Sequence, residues 1–226
     1  MIVAPPDARS GALLRSPRIV LGAGQPFVTP PGELDPSFEG ERIPRRHGET
    51  RRVSRRLLAV LVWVALAVAC VVVFGWSLEA LVGASGCAVL VAVTVTDLER
   101  RIIPNRIVLP ATAAALVVQT LREPGIEWLV AALAAGGFFL VLALVYPAGL
   151  GMGDVKLAVF MGAWLGRDVF FALLVGSLLG AVAAIGVLAL RGGKGRRAML
   201  PYGPFLAVGG VVGLFFGDAM LDAWLG

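Results

Sequence analysis

The sequence is poor in charge, in histidine and in cysteine, and each shortage excludes a class of protein. Only 15% of the 226 residues are charged and 58% are hydrophobic, whereas a soluble domain is about 25% charged and 45–50% apolar. One histidine, His47, and two cysteines, Cys70 and Cys87, cannot supply the roughly four ligands of a structural zinc site. The cysteines form no CxxC pair and lie in apolar runs, so we interpret them as small buried hydrophobic residues. We predict neither a metal nor a cofactor.

The hydrophobic residues are gathered in long runs, which predicts an all-α, polytopic membrane helix bundle. We place about seven transmembrane helices, near residues 57–76, 78–96, 104–121, 128–147, 154–166, 168–190 and 204–225. The last six form a core over 78–225, and the first is an additional N-terminal span within a membrane domain over 57–226. The fifth is short, with 13 residues or roughly 20 Å of helix. Asp154 at its start therefore lies either where the membrane is thin or in a water-filled recess.

Residues 1–56 form an arginine-rich region that we interpret as a disordered cytoplasmic tail, because residues 1–44 are rich in Pro, Gly and charge without periodicity. Seven arginines fall within residues 42–56. They are typical of a positive anchor beside the first span, and they could also contact anionic lipid headgroups, at about 1 kcal/mol per basic residue. The net charge of +5 does not indicate a nucleic-acid partner, because aromatic residues are not interleaved with the basic ones.

The distribution of basic residues predicts the orientation. If seven spans alternate sides and the N-terminus is cytoplasmic, the cytoplasmic segments hold 18 of the 20 Lys and Arg residues, and the opposite loops hold Arg122 and Arg167. Without the N-terminal tail the split is still 8 to 2, which agrees with the preference of basic residues for the cytoplasmic side. This orientation places both Asp97 and Asp154 at the cytoplasmic face.

Two aspartates stand at the edges of apolar runs. Asp97 closes the run Val89–Thr96, and Asp154 follows Gly151-Met152-Gly153. An ionisable residue in a span costs about 2.5–3.5 kcal/mol on insertion scales and is by default a functional hypothesis. Two carboxylates at one membrane face suggest acid/base chemistry on water, which is peptide hydrolysis by an aspartyl mechanism.

The helix ends suggest different roles for the two carboxylates. Asp97 ends a helix, where the dipole disfavours an anion, and Asp154 starts one, where Asp is a favoured cap. We hypothesise that Asp154 is the ionised base and Asp97 the protonated acid, although a close pair titrates as a unit. In simpler interpretations Asp154 is only a helix cap, and Asp97 reaches the interface to pair with Arg100 or Arg101. The remaining candidate acids are expected at the outer side or near helix ends: Glu79, Glu123, Asp168, Asp218 and Asp222.

Other residues near the aspartates are candidates for structural support or substrate binding. Pro104 and Asn105 predict a helix start, which keeps the preceding loop short. The glycines at 151 and 153 either serve helix packing or let backbone and substrate approach closely. Residues 201–205, Pro-Tyr-Gly-Pro-Phe, predict a rigid turn on the aspartate face. This turn either shapes a substrate cleft or is a plain loop.

Three blocks of this sequence resemble those of the bacterial type IV prepilin peptidases. Residues 97–106 contain an Asp followed by Ile-Pro-Asn, as in the first aspartate block of that family. Residues 151–157, Gly-Met-Gly-Asp-Val-Lys-Leu, resemble its Gly-x-Gly-Asp block. Residues 201–207 resemble its Pro-Phe-Gly-Pro-Phe-Leu-Ala block, with Tyr202 in place of the first Phe. The blocks occur in order with helices between them, and the resemblance covers roughly residues 78–225.

The resemblance implies an intramembrane aspartyl endopeptidase of a bacterial cytoplasmic membrane. Such enzymes remove the short basic leader of type IV prepilins and pseudopilins at the cytoplasmic face, after a Gly and before the hydrophobic helix. Asp97 and Asp154 carry over as the catalytic pair. The other motif residues carry over as substrate-binding or supporting positions: Pro104, Asn105, Gly151, Gly153, Lys156, Pro201, Gly203 and Pro204.

Larger members of this family carry a loop with two CxxC pairs and also N-methylate the trimmed pilin with S-adenosylmethionine. Nothing in this sequence matches that loop, so the resemblance is to the compact form and we expect no methyltransferase activity. Presenilin-type proteases share Gly-x-Gly-Asp but typically have Tyr-Asp and Pro-Ala-Leu blocks. Here Thr96 precedes Asp97 and Pro-Ala-Leu is absent, which favours the prepilin branch.

Two other classes of protein are alternatives. A small transporter or proton channel would use Asp97 and Asp154 as a carboxylate relay. It would be expected to have inverted repeats and carboxylates near mid-membrane, whereas we see no repeat between the halves and place both aspartates at one face. A non-catalytic assembly scaffold is the third class, and the intact aspartate pair argues against it.

Overall fold

The computed structural model describes residues 46–147, 149–191 and 201–226. Over these residues the chain forms α-helices and no strand, so the prediction of an all-α helix bundle is confirmed. The helices are α1 (Arg46–Phe74), α2 (Leu78–Arg100), α3 (Asn105–Arg122), α4 (Glu127–Val145), α5 (Met152–Leu165), α6 (Val169–Arg191) and α7 (Gly203–Leu225). A 3-10 turn, Gly166–Asp168, joins α5 to α6, at the boundary between the predicted fifth and sixth spans.

Five helical stretches in the described part of the chain are long and apolar enough to cross a membrane. They are Ser54–Phe74, Leu78–Arg100, Glu127–Val145, Met152–Leu190 and Gly203–Trp224. The fourth combines two predicted spans, because α5 and α6 follow each other through the 3-10 turn. The helix α3 is not among them, since its 18 residues include two arginines and a glutamine. The chain is therefore a polytopic membrane protein, and the count of seven spans stays a prediction.

The first helix begins earlier than the sequence predicted. Its backbone is helical from Arg46, within the region that we interpreted as a disordered tail up to residue 56. Arginine is a good helix former, and a hydropathy pattern marks where a helix enters the bilayer rather than where it begins. The compact helical unit runs from Arg45 to Gly226. The tail before residue 45, with its predicted disorder, lies outside the described residues.

The short helix α5 forms the centre of the bundle. Its side chains are buried around its whole circumference, including Leu157, Phe160, Met161 and Trp164. It packs against α3, α4 and α7. A helix that is hydrophobic on all sides is stable only when protein or lipid surrounds it, and here protein does. The neighbouring helices therefore stabilise α5 although it is too short to span a bilayer alone.

Small residues bring neighbouring antiparallel helices close together. A Cβ at Gly162 of α5 would lie 2.5 Å from the carbonyl oxygen of Ala131 of α4. A Cβ at Gly209 of α7 would collide with the backbone of Ala172 and Gly176 of α6. Such contacts are the usual means by which membrane helices associate, because close backbones gain van der Waals contact. Cys70 and Cys87 are buried, as predicted.

The antiparallel arrangement separates the two aspartates from Glu79 and Asp218, two of the other candidate acids. Asp97 lies near the C-terminal end of α2, and Glu79 lies 18 residues earlier in the same helix, about 27 Å away. Glu79 pairs with Arg122 at 3.1 Å, and Asp218 pairs with Arg167 at the same distance. These pairs lie at the end of the bundle opposite to Asp97 and Asp154, as the sequence predicted for that group of acids.

Candidate active site

Asp97 is held in the last turn of α2. Only 6% of its surface is exposed. The helix ends at Arg101, which adopts a left-handed conformation with φ 53°, and the N–H of Arg101 donates to the carbonyl of Asp97 at 2.8 Å. This bond satisfies one of the carbonyls that a helix end leaves without a partner. The chain then reaches α3 through a short link.

The carboxylate of Asp97 binds the first residue of α7. The N–H of Gly203 donates to Oδ2 of Asp97 at 3.0 Å. The first N–H groups of a helix have no partner within it and lie at the positive end of its dipole, so they favour an anion. A Cβ at Gly203 would lie 2.8 Å from the same oxygen. Only glycine at this position therefore allows the carboxylate to approach the helix.

Asp154 is held in a similar way at the start of α5. It is the third residue of that helix and 8% exposed. Its Oδ2 accepts a hydrogen bond from the N–H of Gly151, at 3.0 Å. An acidic residue at this position commonly binds the N–H of the residue that caps the helix. The cap is Gly151, so the prediction that Asp154 itself could be the capping residue is wrong by three positions.

A close contact draws the two aspartate segments together. A Cβ at Gly153 would lie 3.0 Å from Cβ of Ile103, a buried residue of the α2–α3 link. The carboxyl groups of Asp97 and Asp154 are close enough for their charges to interact. Gly153 therefore lets α5 begin directly against the link that follows Asp97. The structure brings the two predicted residues into one site.

The sequence-based reason for giving the aspartates different roles does not hold. That reason placed Asp97 only at the negative end of α2. The contact with Gly203 adds the positive end of α7, so each carboxylate accepts one backbone N–H at a helix N-terminus. The helix-dipole argument therefore no longer separates the two carboxylates, and the assignment of Asp154 as the base and Asp97 as the acid stays a hypothesis.

Asn105 and Lys156 lie beside the aspartates and bind each other. Nζ of Lys156 donates to Oδ1 of Asn105 at 2.8 Å, which joins the first turn of α5 to the start of α3. The sequence suggested that Pro104 belongs to the first turn of α3. In the structure Pro104 is the residue just before α3. Its carbonyl accepts hydrogen bonds from Ile107 and Val108 at 3.0 and 3.2 Å.

Tyr202 is a site residue whose contacts sequence reasoning missed. It is the residue before α7, and its carbonyl accepts the N–H groups of Phe205 and Leu206 at 3.1 and 3.2 Å. Its ring lies 6.5 Å from that of Phe139, measured between centroids, and against Gly180. Burial raises the pKa of Tyr202. The sequence signal that could have identified Tyr202 is that Tyr stands here where the family block has Phe. A buried phenol usually needs a polar partner, so this difference indicates a special environment.

Other members of the predicted set have plainer surroundings. A Cβ at Gly151 would meet only ordinary contacts, so the close approach expected there applies to Gly153 alone. Pro201 is half-buried just before Tyr202. Pro204 is the second residue of α7. Proline is favoured in the first turn of a helix, since its missing N–H has no partner there in any case.

Comparison with known proteins identifies the family of this chain. The model of the type IV leader peptidase family matches residues 84–185. A prepilin leader peptidase/N-methyltransferase of Bacillus subtilis (strain 168) is 34% identical over 178 residues, which is 74% of this chain and 68% of that protein. The chain belongs to the type IV leader peptidase family. The family that the sequence blocks suggested is thereby confirmed.

Other members of the leader peptidase family show a similar degree of likeness. A protein of the same name from Burkholderia pseudomallei (strain 1026b) is 34% identical over 187 residues, covering 76% of this chain and 58% of that protein. One from Legionella pneumophila is 29% identical over 163 residues, covering 68% and 56% respectively. The matched part is thus little more than half the length of these two relatives. No solved structure matches this chain.

Proposed function

We propose that this protein is an aspartyl endopeptidase that removes the leader peptide of type IV prepilins or pseudopilins, after a Gly and before the hydrophobic helix. The family and the names of its relatives support leader-peptide processing. The observation that carries the proposal is the pairing of two buried carboxylates, Asp97 and Asp154. Each is held by one backbone N–H at a helix N-terminus, and their charges interact.

The chemistry follows from two carboxyl groups that share one proton. Like charges in close contact disfavour the doubly ionised pair. The ionised carboxylate takes a proton from a water molecule, which attacks the scissile carbonyl, and the protonated carboxyl donates to the carbonyl oxygen. The C–N bond then breaks: the leaving amine takes the proton that came from water, and the hydroxyl of the intermediate returns its proton to the other carboxylate as the new carboxyl group forms. The backbone N–H groups bind Oδ2 of each residue, so we assign the action on water and substrate to Oδ1 of each.

Water reaches this pair most readily from a recess at the membrane surface. The helices α5 and α6 meet at the 3-10 turn, and they have 14 and 23 residues. Their lengths are therefore about 21 and 34 Å. Measured from the shared turn, the far end of α6 lies about 13 Å beyond the level of the start of α5. This difference favours a recessed Asp154 over a locally thin membrane. The distribution of basic residues supports a cytoplasmic N-terminus and a cytoplasmic active site.

The remaining site residues are proposed to support this pair. Gly203 and Gly151 hold the two carboxylates through their N–H groups. Gly153 sets the approach of α5 to the α2–α3 link. Lys156 and Asn105 join α5 to α3. The proline residues 104, 201 and 204 fix the backbone at the two helix starts. No cofactor takes part in the proposed reaction.

The test is a cleavage assay in membranes. The chain is expressed with a prepilin encoded in the same genome, and the loss of leader mass is followed for wild type, Asp97→Asn and Asp154→Asn. Asn preserves the shape of Asp but cannot act as an acid or a base. The matched control is Asp218→Asn, an exposed acid at the opposite end of the bundle. We expect cleavage by wild type and by the control and none by either site variant.

Two results would contradict the proposal. Substantial activity of Asp97→Asn or Asp154→Asn would exclude a reaction that needs both carboxylates. No cleavage of any prepilin by folded, inserted wild type would exclude the peptidase. In that case proton flux through reconstituted vesicles would test the carboxylate relay of a transporter.

A further inference from the structure

An apolar groove of about 650 Å³ runs along the outside of the bundle between α1 and α7, with α2 as its floor. Aliphatic side chains line nearly all of it, among them Val62 of α1 and Val208 of α7. These two side chains are 44% and 50% exposed. The groove is therefore open along its length to the hydrocarbon of the bilayer.

The groove is closed at one end and open at the other. At the end far from the aspartates, the rings of Phe74 of α1 and Phe215 of α7 stack with centroids 6.0 Å apart. Towards the aspartate end the two helices leave space between them, and Pro204 and Leu98 line the groove there. The lining therefore continues to the candidate active site at this end.

The open end reaches the catalytic candidate directly. Leu98 follows Asp97 in the chain, and Pro204 follows Gly203, whose N–H binds the Asp97 carboxylate. The floor of the groove extends from residue 90 to residue 99 of α2, which is about 14 Å of helix. It matches the length of the first two to three turns of an apolar helix lying in the groove.

We propose that this groove binds the start of the substrate's hydrophobic helix and presents the peptide bond before it to Asp97 and Asp154. This inference rests on the proposed function, because a peptidase that cuts just before an apolar helix must hold that helix in the bilayer beside its carboxylates. Laying one face of a helix into an apolar groove is a common mode of recognition, in which side chains at helical spacing are the anchors.

The position of the groove favours a peptide over a lipid. Arg55 of α1 and Glu99 of α2 both line the groove at the aspartate end, and Arg100 and Arg101 follow Glu99 in the chain. Charge at this end therefore does not select between an anionic headgroup and a peptide. The direct continuation of the groove to Asp97 favours the substrate, and Glu99 is the lining residue that can pair with a basic leader.

The position of the substrate can be tested by photo-crosslinking in membranes. A photoreactive phenylalanine is placed at Val62 or Val208 of the full-length chain carrying Asp154→Asn, which keeps the prepilin uncut. The matched controls are Leu61 of α1 and Phe216 of α7, which are 65% and 60% exposed but do not line the groove. We expect prepilin adducts from both groove positions and none from the control positions.

Wild-type cleavage is measured in the same membranes so that the two proposals fail separately. Cleavage together with lipid adducts alone, or with prepilin adducts at the control positions, would overturn the groove proposal and leave the peptidase intact. Absence of cleavage would overturn the proposed function and the groove proposal with it.

Kinetics of filled-groove variants give a second, independent test. Ala59→Phe places a ring in the groove, whereas Leu61→Phe adds the same ring on the lipid side of α1. A variant that weakens substrate binding but not the chemistry has a raised KM and an unchanged kcat. We expect KM to rise about tenfold for Ala59→Phe and to stay unchanged for Leu61→Phe. Equal KM values for the two variants would overturn the proposal.

Glu99→Lys is expected to raise KM for a basic leader and not for one whose charges are reversed.

Discussion

Gly203→Ala is the sharpest test of how the site is built, because the change adds one methyl group beside a carboxylate. The new Cβ would lie 2.8 Å from Oδ2 of Asp97, whereas ordinary contact begins at 3.4 Å. The carboxylate must therefore move by about 0.6 Å, and its bond to the N–H of residue 203 is weakened or lost. The backbone of Gly203 has no positive φ, so alanine introduces no backbone strain.

The expected loss of activity follows from the bond that is disturbed. A hydrogen bond to a charged group contributes about 1.5–3 kcal/mol. At 1.4 kcal/mol per factor of ten, its loss lowers kcat by about 10- to 150-fold. Loss of the same bond also lowers the stability of the fold, and alanine, a better helix former than glycine by about 0.8–1 kcal/mol, offsets part of that loss. Stability is therefore expected to fall by only about 0.5–2 kcal/mol.

The assay is the initial rate of prepilin cleavage in membranes, measured beside the thermal stability of the purified protein. The matched control is Gly137→Ala in α4, where an added Cβ meets no atom within 4 Å. We expect Gly203→Ala to lose activity with a stability loss of only about 0.5–2 kcal/mol, and Gly137→Ala to keep wild-type activity. A kcat for Gly203→Ala within about twofold of the control would refute the conclusion that this contact positions Asp97.

Three further predictions concern the same site. Lys156→Met and Asn105→Ala each remove the 2.8 Å bond between α5 and α3; a double-mutant cycle of stability should give a coupling of about 0.5–1.5 kcal/mol, and additive losses would show that the two side chains act independently. Gly153→Val should abolish cleavage because its side chain meets Ile103 at about 3 Å, and the added substitution Ile103→Ala should restore part of the rate; no rescue would exclude this contact as the cause. Mass spectrometry of the trimmed pilin should find leader loss without an added methyl group, and a mass gain of one methylene would contradict that expectation.

The sequence predicts most of what is local in this protein. Long apolar runs predict helices, because a chain in lipid must satisfy its backbone polar groups within the helix. Asp97 and Asp154 are conspicuous because each carries a carboxylate at the edge of such a run. The turn at Gly166 follows from the glycine, whose φ is +60°. In each case a short segment of the sequence contains the whole physical cause of the local structure.

Contacts between distant segments are what the sequence does not predict. The bond between Gly203 and Asp97 joins residues 106 positions apart, and no local pattern indicates it. The same limit applies to the groove, since α1 and α7 lie at opposite ends of the described chain. The start of α1 at Arg46 was missed for another reason, because hydropathy identifies the membrane-embedded part of a helix only.

The two helix N-termini explain how a pair of aspartates is tolerated at the membrane. Inserting one charged residue costs about 2.5–3.5 kcal/mol. A hydrogen bond from a backbone N–H to a carboxylate contributes about 1.5–3 kcal/mol, and the helix dipole adds about 0.3–1 kcal/mol. Together these contributions, about 2–4 kcal/mol, are of the size needed to offset the cost for one ionised carboxylate.

Asp97, at the start of α7, and Asp154, at the start of α5, each accept a backbone N–H at a helix N-terminus, so each carboxylate has a partner that favours its anion. An aspartyl mechanism uses such a pair, since the carboxylate that accepts a proton from water later returns it to the leaving amine. The shared geometry of the two aspartates thus accounts both for their stability in the bilayer and for the chemistry proposed for them.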